Sequence, residues 1–197
     1  MRMATTEILI VRHPETDANV ERRFVGRGES PLTERGERQV PLLVARIAEF
    51  TPDLVWSSPL QRARIVGESA ARESALSFRV DERLLELDFG QAEGLTWEEI
   101  EAAGLAFDYR ASESPVAPGG ESRADIEARS AGFADSLVLA GGRHAVCTHG
   151  GVFRAMLVHL LGLSTTDIWA FHIRNGAAAH VTVTEEHAMI EEFRVYG

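Results

Sequence analysis

Two histidines in this chain each follow directly on a short apolar run, and that juxtaposition is where chemistry is to be sought. Ile8, Leu9, Ile10 and Val11 lead into Arg12 and His13, while Ala145, Val146 and Cys147 lead into Thr148, His149, Gly150 and Gly151. Apolar runs of this length read as buried strands, and neither arginine nor histidine is at home in a core. Both imidazoles are therefore expected at strand mouths. In open α/β sheets the carboxyl ends of the strands, where strand order reverses, are where ligands bind. Imidazole titrates near neutral pH, so a modest local field can keep one histidine neutral as a nucleophile and the other protonated as a donor.

Three further polar positions invite a role. Glu86 lies between Leu85 and Leu87, and a carboxylate there is costly to desolvate unless its pKa rises or it finds a partner. That is the setting of a general acid; the alternative is a loop carboxylate paired with Arg83. Arg62 follows Ser58, Pro59 and Leu60, a hydroxyl-proline signature of a helix start with Ser58 as the N-cap. In the opening turns of such a helix an arginine can complete an anion site, or it can simply be exposed like Arg64. Asn19 can turn its amide toward His13 or serve its own turn, and the Thr16 hydroxyl can meet an anion or cap that turn.

Arg12, His13, Pro14, Glu15 and Thr16, with Asn19 after them and Arg62, Glu86 and His149 downstream, resemble the histidine phosphatase superfamily, the phosphoglycerate mutase-like proteins. The motifs occur in family order over nearly the whole chain; each is weak alone, and together they are specific. The resemblance implies an α/β fold of three layers, α/β/α, with a mostly parallel central sheet. It implies a phosphohistidine on His13, with Glu86 as general acid and then base, and with Arg12, Arg62 and His149 as further catalytic groups. Asn19, Thr16, Gly26 and Gly150 are expected to bind substrate. No metal or other cofactor is expected, since arginines carry the charge and there is no HExxH or cysteine cluster.

One residue departs from the family pattern: Pro14 stands where glycine is usual, which removes a backbone N–H beside the nucleophile and fixes φ. Retained chemistry with altered loop detail is expected. A metal-independent phosphomonoesterase is the first reading, because mutases of the superfamily are usually longer and hold a substrate carboxylate with a basic cluster between the acid and the second histidine. Between Glu86 and Glu121 this chain offers only Arg110. The stretches 26–33 and 148–152 are similar to those of α-ribazole phosphatases and broad-specificity bacterial phosphatases. Alternatives are mutase-type phosphoryl transfer, a noncatalytic phosphate-binding domain, and metal-dependent hydrolysis through His13 and His149.

The rest of the chain must position these groups. With 197 residues and 45% hydrophobic content, a single domain over residues 1–197 is expected. A net charge of −10 argues against nucleic acid or a membrane surface and for a small phosphorylated substrate in a locally positive pocket. The N-terminus lacks a signal-peptide run and no stretch reaches transmembrane length, so a cytoplasmic protein is expected; oligomeric state is open, a homodimer included. Cys147 reads as a buried small hydrophobe. Further strands are expected at 53–57, 78–81, 168–173, 178–184 and 189–195. Helices are expected at 33–50 (kinked at Pro41 or starting there), from Ser58, and at 97–107, 122–139 and 152–161, with a loop at 112–121 near the site mouth. His144, His159, His172, His180 and His187 read as structural or surface residues.

Overall fold

Ile8 and Ile10 point to one side of the first strand, Leu9 and Val11 to the other, and all four are fully buried. A strand apolar on both sides must be covered on both. In the computed structural model, which describes residues 5–108 and 111–197, this strand, β1 (Thr6–Arg12), lies inside a six-stranded sheet. The others are β2 (Leu54–Ser57), β3 (Ser77–Val80), β4 (Gly142–Thr148), β5 (Ala177–Val183) and β6 (Ala188–Val195), in the order β3-β2-β4-β1-β5-β6. From β3 to β1 the neighbours are parallel; β5 runs antiparallel to β1, and β6 antiparallel to β5.

The helices in chain order are α1 (Asp17–Val20), α2 (Glu34–Phe50), α3 (Gln61–Glu73), α4 (Trp97–Ala102), α5 (Arg123–Ala140) and α6 (Gly150–Leu160). Leu9 and Val11 pack against Leu43 and Ile47 of α2 and Val66 and Ala70 of α3. On the other face Ile8 and Ile10 join Phe133 of α5 and Phe153 and Met156 of α6. The fold is three-layered, α/β/α, with a mixed and mostly parallel sheet, that of the phosphoglycerate mutase-like proteins. Among the described residues no helix is long and apolar enough to cross a membrane.

Several local expectations change. Helix α2 runs through Pro41 from its cap at Thr33, whose side chain accepts the Gly36 N–H at 3.0 Å; Pro41 is exposed, so the lost helical bond falls on the solvent side. Ser58 is not the cap of α3, because that helix begins at Gln61 with Leu60 as its N-cap. Helix α4 stops at Ala102, just before Gly104 at φ +70°. Residues 168–173 are not a strand: a 3-10 helix spans Thr165–Ala170, and Phe171 and Ile173 beyond it pack into the α5–α6 core. An apolar run with tertiary partners on one side does not need the sheet.

Candidate active site

Adjacent parallel strands end side by side. Arg12 of β1 pairs with Thr148 of β4, and the His13 N–H continues the ladder onto the Thr148 carbonyl at 2.9 Å. His13 and His149 thus leave neighbouring strand ends together, their ring centroids 5.2 Å apart, and both are buried. The tautomer of His13 follows from its partner. His13 Nδ1 lies 2.7 Å from the Pro14 carbonyl, which can only accept, so the proton sits on Nδ1 and Nε2 keeps its lone pair. His149 Nε2 lies 2.8 Å from Ser58 Oγ, which itself accepts the Leu60 N–H at 3.3 Å. In the tautomer in which the Ser58 hydroxyl donates to Nε2, His149 carries its proton on Nδ1, a buried atom with no hydrogen-bond partner among the described residues.

The Pro14 carbonyl orients the neighbouring imidazole, a main-chain contact that does not depend on the proline ring. Asn175, which was not singled out from sequence, reaches the His13 and Pro14 carbonyls with Nδ2 at 3.4 Å and Asn19 Oδ1 at 2.9 Å. Asn19 Oδ1 also accepts the Thr16 hydroxyl at 2.9 Å and the Thr16 N–H at 3.1 Å. The hydroxyl of Thr16 is spent on its turn, while Asn19 both closes that turn and lines the cleft.

The two arginines are placed differently. Arg12 donates from Nη1 to the Ile173 carbonyl, and its buried Nε has no partner among the described residues. Burial, opposed by Glu86 and reinforced by Arg154 and Arg62, lowers its pKa to about 10. Arg62 is buried rather than an exposed helix residue. It donates to the Gly28 carbonyl at 2.6 Å and the Gly26 carbonyl at 2.8 Å, so its guanidinium clamps the loop after α1. Gly26 is pressed so closely on the Leu87 carbonyl that a Cβ would lie 1.8 Å away.

Glu86 is not paired with Arg83, which holds Asp81 at 2.7 Å. Its carboxylate instead accepts the Leu87 N–H at 2.9 Å and the Gly151 N–H, in the first turn of α6, at 3.1 Å. Gly150 packs on Arg12, where a Cβ would come within 3.4 Å of the guanidinium carbon. Cys147 is buried and its thiol pKa is pushed up by desolvation to about 12, so it takes no part. Among the described residues no group of His, Cys, Asp and Glu gathers in a form that could hold a metal ion.

In the protein alone, neither imidazole favours its protonated form. Burial first, then the positive charges of Arg12 and Arg62, hold both His13 and His149 well below the ordinary 6.5. In the tautomer that accepts from the Ser58 hydroxyl, neutral His149 offers Nδ1–H as a donor. The sign of the pH dependence follows: the neutral imidazoles stabilise the fold above 6.5, and this contribution is lost as pH falls below that value. Titration of the two rings by NMR should give midpoints below 6.5 in the free protein, moving upward when inorganic phosphate brings negative charge to the site. A midpoint at or above 6.5 without an anion would contradict the neutral pair.

Arg12, His13, Asn19, Glu86, Gly150 and Gly151 border a cleft of about 330 Å³ that Arg23, Phe24, Phe89, Arg123, Ile126 and Arg154 also line, whereas Arg62 and His149 are buried and are not among its lining residues. Arg154 carries a signal that sequence reading could have used: it lies one helical turn beyond Gly150 and donates to the Gly150 carbonyl at 3.3 Å. Arg110, the one basic residue noted between Glu86 and Glu121, lies outside the described residues.

A three-layer α/β/α sheet whose central strands deliver two histidines among buried arginines defines an enzyme built to hold a phosphate ester. The chain belongs to the histidine phosphatase superfamily (branch 1), whose model matches residues 8–195. It is 28% identical over 197 residues to phosphoserine phosphatase 1 of Hydrogenobacter thermophilus, covering 96% of this chain and 92% of that one. It is 32% identical over 177 residues to glucosyl-3-phosphoglycerate phosphatase of Mycobacterium tuberculosis, covering 84% and 79%. A solved mycobacterial glucosyl-3-phosphoglycerate phosphatase in complex with VO3 superposes with a TM-score of 0.85 at 26% identity, over 96% of this chain and 99% of that one. Of a bifunctional protein of M. tuberculosis, 33% identical over 177 residues, the chain spans 49% of the length.

Proposed function

We propose that the chain acts as one domain that hydrolyses a small phosphorylated metabolite without a metal, through a phosphohistidine on His13. The observation that carries this reading is a pair of buried nitrogens without a hydrogen-bond partner among the described residues, Arg12 Nε and His149 Nδ1, the second in a ring whose centroid is 5.2 Å from that of His13, which keeps its Nε2 lone pair. A buried donor left unpaired costs about 1–3 kcal/mol, and the oxygens of a phosphoryl group supply the missing acceptors. Such donors stabilise charge best when they are fixed before the reaction begins.

In the first half, His13 Nε2 attacks phosphorus in line, the bond from phosphorus to the alcohol oxygen breaks, and protonated Glu86 gives its proton to that oxygen. In the second half, the Glu86 carboxylate takes a proton from water as its oxygen displaces the imidazole. Inorganic phosphate leaves, and both groups return to their starting states. Arg12 and His149 hold the transferring oxygens, while Arg62 adds positive charge and fixes the loop that walls the pocket. The two N–H bonds to Glu86 keep its carboxyl against α6, within the cleft that receives the leaving alcohol. Relatives named for phosphoserine and for a phosphoglycerate derivative support a small phosphorylated metabolite as substrate.

The direct test is steady-state hydrolysis of p-nitrophenyl phosphate after exhaustive chelation. Turnover should be unchanged by the chelator, and a requirement for added divalent metal would replace this mechanism with hydrolysis by a bound ion.

A further inference from the structure

Glu86 stands in a stretch, residues 85–89, that belongs to no strand or helix, so the main-chain carbonyls there have no ladder and must find donors elsewhere. Arg129 of α5 supplies them. Its Nη1 donates to the Arg83 carbonyl at 2.8 Å and the Leu85 carbonyl at 2.5 Å, and its Nη2 to the Glu86 carbonyl at 3.1 Å. The rest of the guanidinium grips Glu121, with Nε at 3.0 Å and Nη2 at 2.9 Å from its carboxylate. Glu121 in turn accepts the Asp88 N–H at 3.0 Å, and its own N–H donates to the Asp88 carbonyl at 2.9 Å. Burial opposes the charge of Glu121, but Arg129 and the Asp88 N–H outweigh it and hold its pKa below the ordinary value. Three bonds to carbonyls and two to a carboxylate use all five N–H groups of an arginine. None is left for a substrate, and Arg129 is not among the residues that line the cleft.

Resting on the phosphomonoesterase reading above, we propose that Arg129, braced by Glu121, is a positioning residue for the general acid: it fixes the main chain on both sides of Glu86, so that the carboxyl meets the leaving oxygen. The Leu87 and Gly151 N–H groups set where that carboxyl points. They do not set where its main chain stands. In a proton transfer that depends on geometry, a misplacement of about 1 Å costs on the order of a hundredfold. Lysine cannot take over, because one nitrogen with three donors cannot span three carbonyls and a carboxylate. Arg129 also contributes positive charge at His149, where it is the weakest of the neighbours that lower the ring's pKa. A role through that charge alone would weaken phosphate binding and slow every ester alike, whereas a role through Glu86 depends on the leaving group.

The experiment compares kcat/KM, which covers only the steps up to release of the alcohol, for phenyl phosphate and p-nitrophenyl phosphate. The two esters are alike in shape, but phenol needs a proton to leave far more than p-nitrophenol does. Arg129→Met should cost phenyl phosphate about tenfold or more beyond its cost to p-nitrophenyl phosphate, and Arg129→Lys should recover only part of the difference. In a Glu86→Gln background, adding Arg129→Met should change the ratio of the two esters by less than about twofold, because the group it positions is already gone. Should Arg129→Met fail to fold, Glu121→Gln takes its place in the same comparison. Equal losses for the two esters, or a further change of the ratio in the Glu86→Gln background, overturn the proposal. If the wild-type protein turns over neither ester, the phosphatase reading fails by itself. The Gly151 amide resonance, whose N–H Glu86 accepts, then decides: it should move in Arg129→Met toward its position in Glu86→Ala, and an unmoved resonance counts against Arg129.

Discussion

His13→Ala should lower kcat for p-nitrophenyl phosphate at least about a thousandfold, because it removes the Nε2 lone pair proposed to accept the phosphoryl group. The loss should fall on kcat. Arg12 and His149 remain to hold the anion, and inorganic phosphate should still inhibit or bind. The variant should also fold, since truncating one buried imidazole forfeits a single hydrogen bond to the Pro14 carbonyl and some packing, of the order of 1–3 kcal/mol. The complementary measurement is chemical: quenching the wild-type protein during turnover of a labelled ester should trap acid-labile label, and His13→Ala protein should trap none. A variant retaining a tenth of wild-type turnover would show that water attacks the ester directly.

Glu86→Gln should cost about a hundredfold to a thousandfold in kcat, the range of a lost general acid, and the loss should depend on the leaving group. For p-nitrophenol, which departs readily without a proton, the first half-reaction should be nearly spared. For an alkyl phosphate it should be slowed most. Glutamine can still accept one of the two N–H bonds that Glu86 receives from Leu87 and Gly151, so the carboxamide keeps its position while losing the proton. Equal losses for aryl and alkyl esters, with the melting temperature unchanged, would remove Glu86 from the acid role.

What could be read in advance follows from where the information resides. The apolar stretch from Ile8 to Val11 declares a central strand because burial on both sides leaves it no alternative, and the layered architecture follows from that. Arg12, His13 and His149 could be placed because a polar residue at the end of such a strand has one way out. Ser58 was misplaced as a helix cap, because nothing local says that its hydroxyl is needed by an imidazole far along the chain. The field at the buried His149 ring is not legible for a related reason: it depends on Arg12 and Arg62 together, and their distances exist only in the folded protein. Arg123 and Arg154 sit on helices whose spacing is legible but whose facing is not. The 3-10 helix at Thr165–Ala170 is set by packing onto α6, a tertiary fact.

The hydrogen bond from the His13 amide to the Thr148 carbonyl has a consequence for biogenesis. His13 is synthesised well before β4 (Gly142–Thr148), the strand that completes its surroundings. Every earlier intermediate carries the reactive imidazole without its companion donor. On the proposed mechanism a nascent or truncated chain lacking β4 should not transfer phosphate, and recovery of turnover after denaturation should report closure of the sheet's centre rather than the collapse of either half.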